Sequence, residues 1–150
     1  MRNFRLGLIA LICVAMSAAA YAATAPTILA PEQLKWSTSG MPHGVSWVTV
    51  AGNPDGTDMY VQRIKLSPGS SFPPHTHGKT EMVTVLSGTL WAGIGTKFDK
   101  SKMKPLSTGT FVVMPANVPH YVMAKEATVI EVSGMGPSTT KMLSGQNMKM

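Results

Sequence analysis

"GSSFPPHTHGKTEMVTVLSG", Gly69–Gly88, holds two of the chain's four histidines. His75 and His77 stand two residues apart, Glu81 follows four residues after the second, and a glycine closes each end. In a strand, residues two apart point to the same face, so these imidazoles converge if the segment is extended. Pro73 and Pro74 favour that geometry, because proline excludes helix and biases the residue before it to extended backbone. Gly78 lets the chain turn, and Glu81 opens the next strand, where a carboxylate can meet the two rings. Neutral imidazole and carboxylate are good donors for divalent transition metals. On this stretch alone, a polar loop that happens to be rich in histidine remains the alternative.

Working outward, strand-like runs alternate with turn signals. Val45–Ala51 and Asp58–Leu66 are rich in β-formers and flank the turn Gly52–Gly56. Glu81–Ser87 and Thr89–Gly95 flank Gly88 and are expected to form a hairpin. Residues 97–109 are expected to be a polar connection. Thr110–Pro115, His120–Ala124 and Thr128–Gly134 complete the set. No segment sustains a 3.6-residue period, and strands recur about every ten residues, which suits a sandwich or barrel. His120 opens a strand beside Pro119, and could fold back over the first histidine pair. His43 precedes the first clear strand and lies outside the pattern.

The bulk composition fits one domain with a core. The 150 residues are 44% hydrophobic and 13% charged, too apolar for a disordered chain. Glycine (14) and proline (11) are spread along the chain, as many short strands require. Residues 1–22 read as a signal peptide: Arg2 and Arg5, then an apolar run, then Ala20-Tyr21-Ala22 as a cleavage signal. A periplasmic or secreted protein, free of the membrane after cleavage, is the expectation. Cleavage would remove Arg2 and Arg5, taking the net charge from +6 to +4, and would remove the one cysteine, Cys13. Thiolate ligands and disulfides are then excluded. The loose lysine group Lys97, Lys100, Lys102 and Lys104 has no interleaved aromatics, so a solvated loop is the better reading than a nucleic-acid surface. The expected organisation is a lead-in over 23–44, a domain over 45–136 and a flexible tail over 137–150.

The chain resembles the cupin superfamily, as a small single-domain member. The first cupin motif is Gly, five residues, His, one, His, three or four, Glu, six, Gly. Gly69, His75, His77, Glu81 and Gly88 meet every spacing. In the second motif Gly109, Pro115 and His120 match, while Asn117 replaces a glycine and Ala124 replaces an asparagine. Asparagine tolerates the left-handed turn needed at 117. The resemblance covers about residues 45–134 and implies an all-β fold, an antiparallel jelly-roll β-barrel. It also implies one divalent transition metal ion (Fe, Mn, Ni, Cu or Zn) held by His75, His77, Glu81 and His120, and a homodimer.

Strand parity then suggests a lining. Val83 and Val85 share the face of Glu81, and Val122 shares that of His120. Tyr60 and Gln62 share a face with Ile64 and Leu66, and are candidates for supporting the ligand side chains or contacting substrate; the alternative places the pair at the barrel mouth in water. Phe72, Phe111 and Trp91 are expected in the core. Met82 and Met123 point away from the ligand face, so Met82, Met114 and Met123 read as packing rather than copper ligands. Three functions are compatible with this site. The leading one is a metal-dependent enzyme of dioxygenase type acting on a small hydroxylated or carbonyl compound, with Glu81 able to accept a proton. The second is a non-catalytic metal or small-ligand sensor similar to the cupin domains of anti-sigma factors. The third is isomerase, cyclase or decarboxylase chemistry.

Overall fold

The computed structural model describes residues 26–143. The expected leader over 1–22 and the last residues of the expected tail lie outside that range. Ten strands are described: β1 (Val45–Ala51), β2 (Met59–Leu66), β3 (Ser71–His77), β4 (Glu81–Ser87), β5 (Thr89–Ile94), β6 (Lys104–Ser107), β7 (Phe111–Met114), β8 (His120–Ala124), β9 (Thr128–Met135) and β10 (Thr140–Met142). They form two five-stranded sheets, ordered β1-β2-β9-β4-β7 and β10-β3-β8-β5-β6. Every pairing is antiparallel. Two such sheets facing each other are the jelly-roll architecture.

The chain passes repeatedly from one sheet to the other, and this corrects the expected hairpin at Gly88. β4 pairs with β7 and β9, whereas β5 pairs with β6 and β8. Gly88 is therefore the corner where the chain crosses between sheets. Its φ is +72°, and an added Cβ would lie 2.4 Å from the Ala127 carbonyl oxygen. Residues 97–109 are also more than a connection. They contain a short 3-10 turn (Lys100–Lys102), the buried Met103, and β6. In the lead-in, Pro31–Gln33 form a 3-10 turn and Ser37 bridges Trp47.

The C-terminal expectation is corrected as well. Residues from Pro137 do not form a loose tail throughout: Thr140–Met142 pair with β3, placing Thr140 opposite His77 and Met142 opposite His75. Met142 is buried.

Between the sheets lie Val45, Leu66, Val85, Leu90, Ala124, Ile130 and Val132. A second cluster of Met103, Tyr121 and Met123 packs against Trp91. Phe111, expected in the core, is 58% exposed on the edge strand β7. Its neighbour Val112 takes the inward position instead. Phe72 is buried as expected.

Two glycines with similar backbones allow strain to be separated from close approach. Gly69 has φ +82° and open space where a Cβ would stand, while Gly88 has both a positive φ and backbone atoms in the way. Gly69→Ala should cost about 1–2 kcal/mol through left-handed strain alone. Gly88→Ala should cost clearly more. Urea denaturation of both variants checks this, and equal losses would contradict the corner assigned to Gly88.

Candidate metal centre

The site begins with a local irregularity in β3. The β3–β8 register shifts between Phe72 and His75, across Pro73 and Pro74. Prolines cannot donate to a ladder, so a bulge is where they are tolerated. Phe72 and His75 are three residues apart and would face opposite sides of a regular strand. With the shift both line the same cavity, with ring centroids 4.5 Å apart. His77 follows on the same face. Across the ladder His120 of β8 pairs directly with His75.

His75, His77 and His120 are all buried, and they offer ring nitrogens within 4.8 Å of one another. Their centroids are separated by 4.9 Å (His75–His77), 4.2 Å (His75–His120) and 5.1 Å (His77–His120). This set could hold a metal ion. His43 is exposed before β1 and takes no part.

Two of the rings are fixed by the same device. His75 Nδ1 donates to the Pro73 carbonyl at 2.7 Å, and His120 Nδ1 donates to the Val118 carbonyl at 3.0 Å. A carbonyl can only accept, so in a neutral ring Nδ1 carries the proton and Nε2 keeps its lone pair. In both cases the acceptor lies two residues before the histidine and a proline lies between. The residue before a proline is held extended, which fixes where its carbonyl points. Pro-His at 74–75 and 119–120 was the sequence signal available for this arrangement, although Pro42-His43 carries it too and lies outside the site. Between them, Asn117 adopts φ +63° in place of glycine, and its N–H donates to the His77 carbonyl at 2.8 Å.

Glu81 arrives from the other sheet rather than from a neighbouring strand, as β4 faces β3 across the interior. Its Oε2 lies 3.3 Å from His77 Nε2, at the edge of the histidine group. Tyr60 Oη donates to Glu81 Oε1 at 2.9 Å and lies 3.2 Å from Ser138 Oγ. Tyr60 on β2 and Glu81 on β4 both pair with Gly134 of the intervening β9. A Cβ there would stand 3.3 Å from Tyr60 Oη, so glycine is what lets the phenol reach across. Thr140 Oγ1 of β10 lies 3.3 Å from His77 Nδ1. Nothing in the sequence of this three-residue strand marks Thr140 as a neighbour of the site.

The suggested lining sorts into three groups. Val83 and Val122 line the cavity beside the histidines. Val85 lies in the core cluster instead. Tyr60 and Gln62 are 1% exposed and neither lines the cavity. Tyr60 supports Glu81, and Gln62 Nε2 donates to Thr49 Oγ1 at 3.3 Å. Met114, opposite Glu81 on β7, does line it, as do Ala92 and Leu106, which the sequence did not single out.

Burial sets the protonation states. It lowers His75 to about 3 and His77 to about 4, each further lowered by the neighbouring His120. It lowers His120 as well. Burial raises Glu81 to about 7, opposed by the Tyr60 hydrogen bond, and raises Tyr60. The imidazoles are thus neutral at physiological pH, the state a metal requires. His77 and Glu81 are then a hydrogen-bonding neighbourhood rather than an ion pair.

An antiparallel double sheet with three inward imidazoles at one end defines a small barrel with a candidate metal site. The cupin family profile matches residues 42–147, and the chain belongs to that family. Among curated proteins it is similar to germin-like protein 5-1 of Oryza sativa subsp. japonica, 44% identical over 62 residues, 41% of this chain and 28% of that protein. It is also similar to germin-like protein subfamily 3 member 3 of Arabidopsis thaliana, 31% identical over 85 residues, 56% of this chain and 36% of that protein. The chain thus spans about a third of the length of these relatives. Among solved structures, the polyketide cyclase RemF of Streptomyces resistomycificus matches with TM-score 0.63 at 18% identity, covering 84% of this chain and 87% of that one. Salicylate 1,2-dioxygenase of Pseudoaminobacter salicylatoxidans matches with TM-score 0.57 at 18% identity, covering 71% and 32%. These likenesses show the shared fold.

The shifts give metal-free protein a defined acid sensitivity. Between the lowered folded values of His75 and His77 and their ordinary 6.5, the unfolded chain binds the extra protons, so stability rises with pH. Glu81 opposes this: from its ordinary 4.5 to about 7 the folded state holds the extra proton. The histidines outnumber the glutamate. Chelator-treated protein should lose about 1 kcal/mol or more per pH unit on acidification from about pH 6 to 5. Denaturation midpoints that do not move over this range would contradict the neutral, buried histidine set.

Proposed function

We propose that His75, His77, His120 and Glu81 hold one divalent transition metal ion, and that the protein is a metal-dependent enzyme of dioxygenase type. The observation that carries this is the pair of Nδ1–carbonyl hydrogen bonds, which leaves Nε2 lone pairs on inward-facing rings at the head of a cavity. Three neutral nitrogens and a carboxylate suit first-row ions and leave coordination positions for a ligand. Bound there, such an ion would polarise an oxygen-donor ligand or activate O₂. The protein's own part is to aim the rings, exclude water with apolar walls, and hold a proton at Glu81. In metal-free protein burial raises the Glu81 carboxyl to about 7; when it is not bound to the ion, with Tyr60 donating to Oε1, it can accept or release a proton near neutrality. The dioxygenase and cyclase names among the structural neighbours are compatible with such chemistry but rest on fold alone.

One observation favours a second reading. Among the described residues, no polar side chain beyond the four proposed ligands lines the cavity. That suits a ligand-binding or sensing module whose metal is a docking point. Oxygen uptake separates the two readings: sustained turnover on a small hydroxylated or carbonyl compound supports the enzyme, and a metal-loaded protein with none supports the sensor. Among the described residues no helix is long and apolar enough to cross a membrane. Cleavage after Ala22 and a periplasmic or secreted location complete the proposal. Mass spectrometry of protein from its natural compartment should find Ala23 as the first residue. The exposed Phe111 and Val113 on edge strand β7 support a homodimer.

Metal analysis is the direct test. Purified protein should carry close to one equivalent of Fe, Mn, Ni, Cu or Zn. His77→Ala should abolish it and His43→Ala should not. Thr140→Val and Tyr60→Phe remove supports of ligand side chains, and should weaken affinity roughly 10–100-fold in chelator competition. Folded protein that binds none of these ions would sink the proposal.

A further inference from the structure

The cavity that begins at the histidines runs into the core. Val45, Leu66, Leu90, Ile130 and Val132 belong to the central hydrophobic cluster and also line the cavity wall. The barrel interior is therefore hollow where a filled core would be expected. Of its seventeen lining residues among those described, the four polar ones are His75, His77, Glu81 and His120, gathered together at one end. The remaining wall is aliphatic or aromatic, with Met114 the one thioether.

We infer that the natural ligand of this site is a small amphiphile: one oxygen-donor head at the histidine end, and an unsubstituted hydrocarbon body in the cavity. This rests on the metal reading proposed above and narrows it. The cavity measures about 80 Å³. That is well above the roughly 10–15 Å³ needed for a single water, so the cavity has room for a small organic body. A short alkyl chain or a single small ring fits. Away from the four polar residues, the wall formed by the described residues has no polar side chain to meet a hydroxyl on the body. Each buried hydroxyl would arrive without a partner, and an apolar pocket discriminates against one by about a hundredfold. Sugars, sugar acids and other polyhydroxylated compounds are therefore excluded as ligands, while a monofunctional acid, ketone or phenol is admitted.

Hexanoate and gluconate form a matched pair for the test. Both are six-carbon monocarboxylates, and they differ in hydroxylation along the chain. Calorimetric titration of metal-loaded protein should show hexanoate binding at least a hundredfold more tightly than gluconate. Ala92→Leu adds bulk to the cavity wall next to Val122 and should weaken hexanoate at least tenfold, with metal content measured alongside so that a loss of ligand binding is read only on metal-loaded protein. Val83→Thr keeps the shape of the wall and adds a hydroxyl, and should weaken hexanoate by a similar factor, so the outcome does not depend on Ala92→Leu folding normally. A second arm uses chelator-treated protein, with n-hexanol against sorbitol, read as a ligand-induced shift in melting temperature. At matched concentrations too low for sorbitol to act as a stabilising osmolyte, only n-hexanol should raise it.

Equal or tighter binding of gluconate, no binding of hexanoate to metal-loaded protein, or indifference to both wall variants would overturn the inference. If the protein takes up no metal, the metal reading fails on its own. The n-hexanol arm then still decides whether the cavity accepts a hydrocarbon body, and a melting temperature that n-hexanol leaves unmoved overturns that part too.

Discussion

Burying three imidazoles in neutral form and aiming them at one point is the constraint on which the rest of the site depends. Each ring brings an N–H that must find an acceptor inside the protein, and a second nitrogen that must not be consumed in doing so. Two of the rings meet this through the carbonyl two residues upstream, presented by the residue that precedes a proline. The device is local and needs no other element to be in place. It also fixes which nitrogen faces inward, and that decides whether the cluster can donate to a cation or merely share protons. The bulge across Pro73 and Pro74 serves the same end, since it turns Phe72 and His75 to one side and closes one flank of the site with a ring.

The remaining members are held by long-range contacts. Glu81 comes from the facing sheet, so its position depends on how the two sheets pack rather than on the spacing from His77. Tyr60 steadies it across Gly134, and Ser138 steadies Tyr60. Thr140 stands against His77 from the opposite edge of β3. Lys79 Nζ reaches the Gly136 carbonyl, tying the turn between β3 and β4 to the same C-terminal segment. The segment from Gly136 to Met142 thus braces the mouth of the site from outside, although its sequence is short, polar and without strand periodicity.

That division explains what the sequence made legible. Runs of β-forming residues between turn signals mark β1, β4, β8 and β9 to within a residue or two. The histidine spacing in β3 is equally visible, as it needs only an extended backbone. Alternation does not state which sheet a strand joins, so β4 and β5 read as a hairpin although Gly88 turns the chain from one sheet to the other. β6 is four residues long and carries two exposed ends, which makes it indistinguishable from the lysine-rich loop before it. β10 has only three residues, and its place is set by pairing with a segment more than sixty residues away. Phe111 misleads for a different reason: hydrophobicity predicts burial, but on an edge strand the outward position can carry an aromatic that only a partner or solvent will cover. The pocket was half legible, since parity finds the inward face of a strand but not how far along it the cavity extends. Val83 lines the cavity and Val85, two residues on, is packed solid.

A hollow core carries a cost that the rest of the molecule must bear. At about 24 cal/mol per Å³, a cavity of 80 Å³ corresponds to about 2 kcal/mol of lost packing. The domain has no disulfide with which to offset this, since the one cysteine of the sequence is Cys13, ahead of the barrel. Four polar side chains at the head of the cavity add the desolvation evident in their shifted protonation. An ion that binds only the folded arrangement would offset the desolvation of the buried donors and stabilise the native state by mass action. A ligand body that fills the cavity would add to the same effect. Occupancy and stability would then be linked: a ligand that reached both the donors and the cavity would stabilise the fold through each.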